Sequence, residues 1–278
     1  MTGQEILSDA ELIRYSRQIS LKGMDIDGQE KLKQARVLIL GVGGLGCAAA
    51  QYLAVAGVGH LTLVDFDTVE ASNLQRQVLH GDQDIGRPKV DSARDSLSKL
   101  APHLQLETIN ARLEQAQLDA LVAGHELVLD CSDNMAVREQ LNLSCLRRQL
   151  PLVSAAAIRM EGLVTVFDFR QLGQAVASPC YHCFASLFGE QQLSCVEAGV
   201  LAPVVGMIGC LQAVEAIKLL THMGRPLTGR VLLLDAMTME FRELQLPKRP
   251  DCRVCGKAYA KRDRPVRGTE DKGHATKP

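Results

Sequence analysis

The run V-L-I-L-G-V-G-G-L-G, Val37 to Gly46, sets four apolar residues before a glycine-rich turn and leads into the alanine-rich stretch Leu45 to Ala56. Four consecutive apolar residues read as a buried strand, the glycines as a tight turn and the alanines as a helix. After Gly57 and Gly59, His60 to Asp65 reads as a second strand. Strand, turn, helix and strand within about thirty residues form a β-α-β unit, which requires parallel strands and a right-handed crossover. At Gly41, Gly43 and Gly44 the missing side chains let backbone N–H groups and the helix N-terminus approach a phosphate. Asp65 follows Gly46 by 19 residues, where a carboxylate can accept a hydrogen bond from a ribose hydroxyl.

Outward from this unit the alternation continues. Pro88 opens a helix to about Leu100, and Leu104 to Ile109 and Glu126 to Asp130 read as strands. A helix from about Asn134 to Arg148 precedes an apolar run, Pro151 to Ala157. Upstream, Ser8 and Glu11 have capping-box spacing before a short amphipathic helix. Downstream, Gly162 to Phe169 and Gly229 to Leu246 read as hairpin or meander strands, with a helix from about Pro203 to Met223 closed by Gly224. The expected fold is α/β: a doubly wound, Rossmann-like, mainly parallel sheet extended by antiparallel strands. Residues 1–28 form an N-terminal helical arm, 29–157 a nucleotide-binding part and 158–256 a partner-binding part continuous with the same sheet. The polar, basic stretch 257–278 has no apolar periodicity and is expected to be disordered.

The 278 residues carry 31 Lys+Arg against 32 Asp+Glu, a formal net charge of −1, so no global basic field exists for nucleic acid or an anionic membrane. With no Trp and 4% aromatics, stacking platforms for single strands are scarce. The charge-free stretch Ala198 to Val214 is shorter than a bilayer span and contains Pro203 and three glycines, so it reads as a buried helix. The acidic N-terminus lacks the pattern of a secretory signal, and a cytoplasmic protein is expected.

Three further clusters carry chemistry. Ser72-Asn73-Leu74-Gln75-Arg76 and Lys89 concentrate hydrogen-bonding groups and two cations beyond a strand end, which suits a triphosphate better than the pyrophosphate bridge of a dinucleotide. In D-C-S-D-N, Asp130 to Asn134, Asp133 is a candidate for Mg2+ and Asn134 for a helix cap. Cys180/Cys183 and Cys252/Cys255 are two C-x-x-C pairs, the spacing of a four-sulfur structural Zn2+ site. The other cysteines Cys47, Cys131, Cys145 and Cys210 lie in apolar or helical contexts and read as buried packing, while Cys195 stands in a polar segment, Gln191 to Glu197, expected to be a mobile loop.

With G-V-G-G-L-G, D-F-D, S-N-L-Q-R-Q, R-P-K, D-C-S-D-N and the paired cysteines in this order, the chain resembles the ubiquitin-activating-like adenylyltransferases of sulfur-carrier pathways, the MoeB/ThiF family, over about Leu7 to Gly256. The blocks A-A-A-I-R-M-E-G (Ala155 to Gly162), L-F-G-E (Leu187 to Glu190), C-V-E-A-G-V (Cys195 to Val200) and D-A-M-T (Asp235 to Thr238) are most similar to the branch serving molybdopterin synthase. The thiamine-pathway branch is the near alternative. The resemblance implies that a small β-grasp sulfur-carrier protein ending in Gly-Gly is activated by ATP as an acyl-adenylate, with release of pyrophosphate. It implies ATP contacts at Gly44, Asp65, Ser72 to Arg76, Lys89, Asp133 and Asn134, with Asp133 acting through Mg2+. It implies that Arg17 reaches the phosphates of a neighbouring subunit in a homodimer, and that Cys195 can take the carrier as a thioester or carry sulfur. A nicotinamide-dependent oxidoreductase would use the glycine turn but leave Arg76 and Lys89 without purpose. A catalytically silent dimeric scaffold would not need the set from Arg17 to Asp133.

Overall fold

The structure, a computed structural model, describes residues 6–170, 178–187 and 198–256. Helix α1 (Asp9–Ile19) starts at a complete capping box: the Ser8 backbone N–H and hydroxyl donate to Glu11, whose own N–H is accepted by Ser8 Oγ. Helix α2 (Asp25–Gln34) follows, then β1 (Arg36–Leu40), α3 (Gly44–Val55) and β2 (His60–Val64). The alternation continues with α4 (Lys89–Leu100), β3 (Gln105–Ile109), α5 (Gln115–Val122), β4 (Leu127–Asp130), α6 (Met135–Arg148) and β5 (Leu152–Ile158). Strand β6 (Glu161–Phe167), α7 (Tyr181–Ala185), α8 (Ala202–Thr221), β7 (Arg230–Asp235) and β8 (Glu240–Gln245) complete the described chain.

All strands join one sheet in the order β3-β2-β1-β4-β5-β6-β7-β8. The first five are parallel, and β6, β7 and β8 add in antiparallel register. The expected fold class is therefore the observed one, and the order reverses between β1 and β4; in open α/β sheets the crevice outside the carboxyl ends of the strands at such a reversal is the usual ligand site. Side chains of β1 alternate between two cores: Val37 and Ile39 face the one built with α3, α4 and α8, and Leu38 faces the one built with α5, α6 and α7.

Helix α8 is long and apolar enough to cross a membrane by length and composition, yet its buried side, including Val204, Val205, Ile208, Ala213 and Ala216, packs within the first core. It approaches α3 so closely that a Cβ at Gly209 would lie 2.5 Å from the Leu45 carbonyl oxygen. The helix closes on His222 in the left-handed region (φ 61°), two residues before Gly224. Pro88 is the cap of α4 rather than its first residue, and Cys210 is half-buried, whereas Cys47, Cys131 and Cys145 are buried as expected. Helices α2 and α5 had no sequence signal: each buries few apolar side chains and shows no sustained 3.6-residue periodicity.

The N-terminal arm is anchored at the amino ends of the strands. Glu11 is buried and meets Lys33 Nζ at 2.5 Å, while Gln18 and Gln29 both donate to the Ala56 carbonyl, at 2.9 and 3.0 Å. Burial alone would raise the Glu11 carboxyl, but hydrogen bonds from Lys33 and Ser8 outweigh it and bring the pKa down to about 2. A carboxylate depressed in the folded state stabilises fully above its unfolded pKa and loses that stabilisation as pH falls through the folded one. Glu11→Gln is therefore expected to lower the denaturant midpoint at pH 7, with the difference from wild type shrinking as the pH falls from about 4.5 toward about 2. A pH-independent difference would show that the carboxylate charge does not hold the arm.

Candidate nucleotide site and cysteine cluster

Two glycines of the turn are required by the backbone itself. Gly41 has φ +96°, and a Cβ there would lie 2.6 Å from the Cys131 carbonyl oxygen. A Cβ on Gly46 would sit 1.9 Å from the Gly41 oxygen. A Cβ on Gly44 would lie 2.4 Å from Val205 Cγ1 of α8, whereas one on Gly43 would have Gln77 Nε2, at 3.7 Å, as its nearest neighbour. Gly43 caps α3 without a side chain, so the first N–H groups of that helix have no side-chain cap at the carboxyl rim of the sheet.

The turn is pinned through the backbone on both sides of Val42. The Val42 N–H donates to Asp65 Oδ2 at 2.7 Å, and the Val42 carbonyl lies 3.2 Å from His80 Nε2. The other His80 nitrogen is 2.8 Å from Ser92 Oγ. Burial, reinforced by nearby Lys89, pushes the His80 pKa down against the opposing pull of the Val42 carbonyl, so the ring is neutral near pH 7. That carbonyl is an acceptor only, which assigns the imidazole proton to Nε2 and leaves Nδ1 to accept from Ser92. Nothing near His80 in the sequence signals this contact, because Val42 is 38 positions away.

The remaining candidates converge unevenly. Lys89 is 6% exposed and its Nζ meets Asp67 Oδ2 at 2.9 Å, which places a desolvated cation at the ends of β2 and α4. The half-buried Arg76 donates to the Ser72 carbonyl at 3.0 Å, and its own carbonyl and Cγ pass over Gly44. Asn73 is buried and its carbonyl accepts the N–H groups of Arg76 and Gln77, folding the Ser72 to Arg76 segment over the turn. Leu74 is half-buried and Gln75 exposed. Asp133 is exposed beyond β4, and Asn134 Oδ1 caps α6 by accepting from Ala136 at 2.9 Å and Val137 at 3.3 Å. This loop is braced by a residue with no sequence signal, Arg138, which donates to the Ser132 and Ala155 carbonyls and lies 3.8 Å from buried Asp130.

Arg17 does not join this group. It is exposed on α1, which lies against Ala56 at the amino rim, opposite the glycine turn. Cys195 lies outside the described residues. Cys180, Cys183, Cys252 and Cys255 are all buried with sulfurs within 4.8 Å of one another; three separations are 3.9, 3.7 and 3.5 Å. A tetrahedral ion with metal–sulfur bonds of about 2.3 Å needs sulfurs roughly 3.8 Å apart, so the four thiols can hold a metal ion. They sit in the α5–α6–α7 core, on the opposite face of the sheet from α3.

The ThiF family model matches residues 15–254. The chain is 59% identical over 250 residues to proteins named molybdopterin-synthase adenylyltransferase from Salmonella typhimurium and Escherichia coli, covering 90% of this chain and 98% of each relative. It is also similar, at 42% identity over 257 residues, to a Drosophila pseudoobscura pseudoobscura adenylyltransferase and sulfurtransferase MOCS3-1, of which it covers 56%. Among solved structures, E. coli MccB with ATP superposes with TM-score 0.75 at 24% identity, covering 91% of this chain and 76% of that one, a likeness of fold. With that architecture, and with family and full-length relatives matched across nearly all described elements, the chain belongs to the ThiF family.

Proposed function

We propose that this chain is an ATP-dependent adenylyltransferase that activates the C-terminal Gly-Gly carboxylate of a small β-grasp sulfur carrier, the small subunit of molybdopterin synthase, for molybdenum cofactor biosynthesis. The observation that carries this reading is the convergence of an uncapped helix start, Lys89 and Arg76 at one rim of the parallel sheet, in a chain that matches nearly the full length of its adenylyltransferase relatives. The thiamine-pathway carrier is the second reading, since the same rim would serve it. A nicotinamide oxidoreductase has no use for two cations there.

A carboxylate is already ionised at neutral pH, so in-line attack on the α-phosphorus of ATP needs positioning and charge neutralisation more than a general base. The turn Gly41 to Gly44 and the start of α3 cradle phosphate oxygens. Asp65, two of whose lone pairs hold Val42 and Asp67, keeps others for the ribose. Lys89 and Arg76 offset charge as pyrophosphate departs. Asp133, exposed beyond β4, is the carboxylate this reading assigns to Mg2+, which when bound would neutralise phosphate charge. Residues 158–256, with the antiparallel strands, offer the carrier surface, and Cys195 is the thiol available for later transfer. A cytoplasmic, reducing setting suits the free buried thiols.

The deciding experiment is mass spectrometry of candidate Gly-Gly carriers incubated with the enzyme and Mg-ATP, paired with ATP–pyrophosphate exchange. An adenylylated carrier terminus and exchange that requires the carrier are expected; exchange without a carrier, or none with any, would overturn the reading.

The thiol tetrad fits a structural Zn2+ that staples the segment after β8 to α7. Metal analysis is expected to give about one zinc per chain, and Cys252→Ser is expected to lower Tm by roughly 5 °C or more while the ATP KM stays unchanged. Freely titrating thiols in the native wild type would contradict this.

Because Arg17 lies on the rim opposite its own glycine turn, the reading assigns it to the partner's phosphates in a homodimer. Arg17→Ala and Arg76→Ala are each expected to abolish adenylation, and a randomly reassorted mixture to recover about one quarter of wild-type activity, since half its dimers carry one intact site. No recovery would argue against shared sites.

A further inference from the structure

Among the residues around the turn, Gln77 is held where its chemistry is unused. It is 3% exposed, and its Oε1 is enclosed with no hydrogen-bond partner among the described residues. An unpaired buried amide oxygen is a standing cost that leucine or methionine of similar size would remove. The other end of the amide is not idle space: Nε2 is the nearest described group to the position above Gly43, where no described side chain fills the room. The backbone fixes this placement, since the Gln77 N–H is held by the Asn73 carbonyl at 3.0 Å and Arg76 passes directly over Gly44. A buried amide and the uncapped start of α3 thus look onto one space from two elements far apart in sequence.

We infer that Gln77 is a further substrate-contacting residue, its Nε2 donating to a phosphate oxygen of the nucleotide lodged over Gly43. This rests on the reading of the rim as an ATP site, and the amide itself takes no part in bond making. A neutral donor is suited to an oxygen whose charge changes little between substrate and adenylate, and it complements Arg76 and Lys89 without adding a third cation. The buried Oε1 is the cost of keeping an amide: its fixed, desolvated donor face is obtained together with an acceptor that no described residue satisfies.

The test compares Gln77→Leu, Gln77→Met and Gln77→Glu with wild type, reading Mg-ATP binding by equilibrium dialysis beside Tm. Leu and Met are expected to leave Tm unchanged or raised while weakening Mg-ATP binding roughly 10- to 100-fold, the worth of one hydrogen bond to a charged group. Glu, which sets a carboxylate against phosphate, is expected to weaken it further. Unchanged binding in Leu and Met, or weakened binding that tracks a fallen Tm in both, overturns the inference. Because dialysis needs no carrier, a wild type that fails to adenylylate any carrier while these variants still lose Mg-ATP would overturn the carrier reading and leave the role of Gln77 standing.

Discussion

The backbone on both sides of Val42 is the constraint on which the rim at the glycine turn depends. The Val42 N–H is taken by Asp65 from the end of β2, and the Val42 carbonyl is held by His80 from the loop before α4. A glycine-rich turn left to itself samples many conformations, and ordering it on binding would consume part of the affinity. Fixing the two peptides that flank Val42, one through its N–H and the next through its carbonyl, sets the directions of the N–H groups that follow before any ligand arrives. Asp65, to which the proposed function gives the ribose, then also holds the turn itself. Its replacement would loosen the turn as well as remove a contact, and the two effects would not separate in a single substitution.

Helix α8 supplies the second constraint. Val205 and Gly209 close against α3 at Gly44 and Leu45, and the Gln212 amide donates to the Asp130 carbonyl at 2.9 Å while accepting from the Cys131 thiol. One apolar helix thereby sets the distance between the glycine turn of β1 and the Asp-Cys-Ser turn of β4, the two edges of the crevice. The cysteine cluster braces the other face of the sheet, separated from the rim by the strands themselves, and this separation suits a metal that stabilises instead of reacting.

The parts of this arrangement that were legible in the sequence are those encoded by neighbours. The apolar run before Gly41, the spacing to Asp65, the Ser8–Glu11 cap and the paired cysteines each rest on residues within one element or one turn, where periodicity and motif spacing report directly. Helix α2 escaped because polar residues dominate it, and α5 because about two turns are too short for a periodicity to show; tertiary packing, not propensity, selects both. His80 and Arg138 escaped for a different reason: each acts on backbone supplied by another element, and a single polar side chain carries no sign of what the fold will place beside it. Gln77 stands in the S-N-L-Q-R-Q motif, but the motif does not show its burial beside the space above Gly43.

The position of Arg17 turns on the same geometry. Glu11–Lys33 and the paired glutamines on the Ala56 carbonyl bind α1 to the amino rim, while the cradle opens at the carboxyl rim. Between the rims run β1 and β2, five residues each, a span of about 17 Å at 3.3–3.4 Å per residue. A single arginine side chain does not bridge that distance through a close-packed sheet. On the proposed reading this guanidinium serves a cradle belonging to another copy of the chain, and the capping box that orders the arm supports the site of its neighbour. Anchoring the arm firmly on its own subunit then aids function, because an arm that sampled many positions would meet the neighbouring phosphates only a fraction of the time.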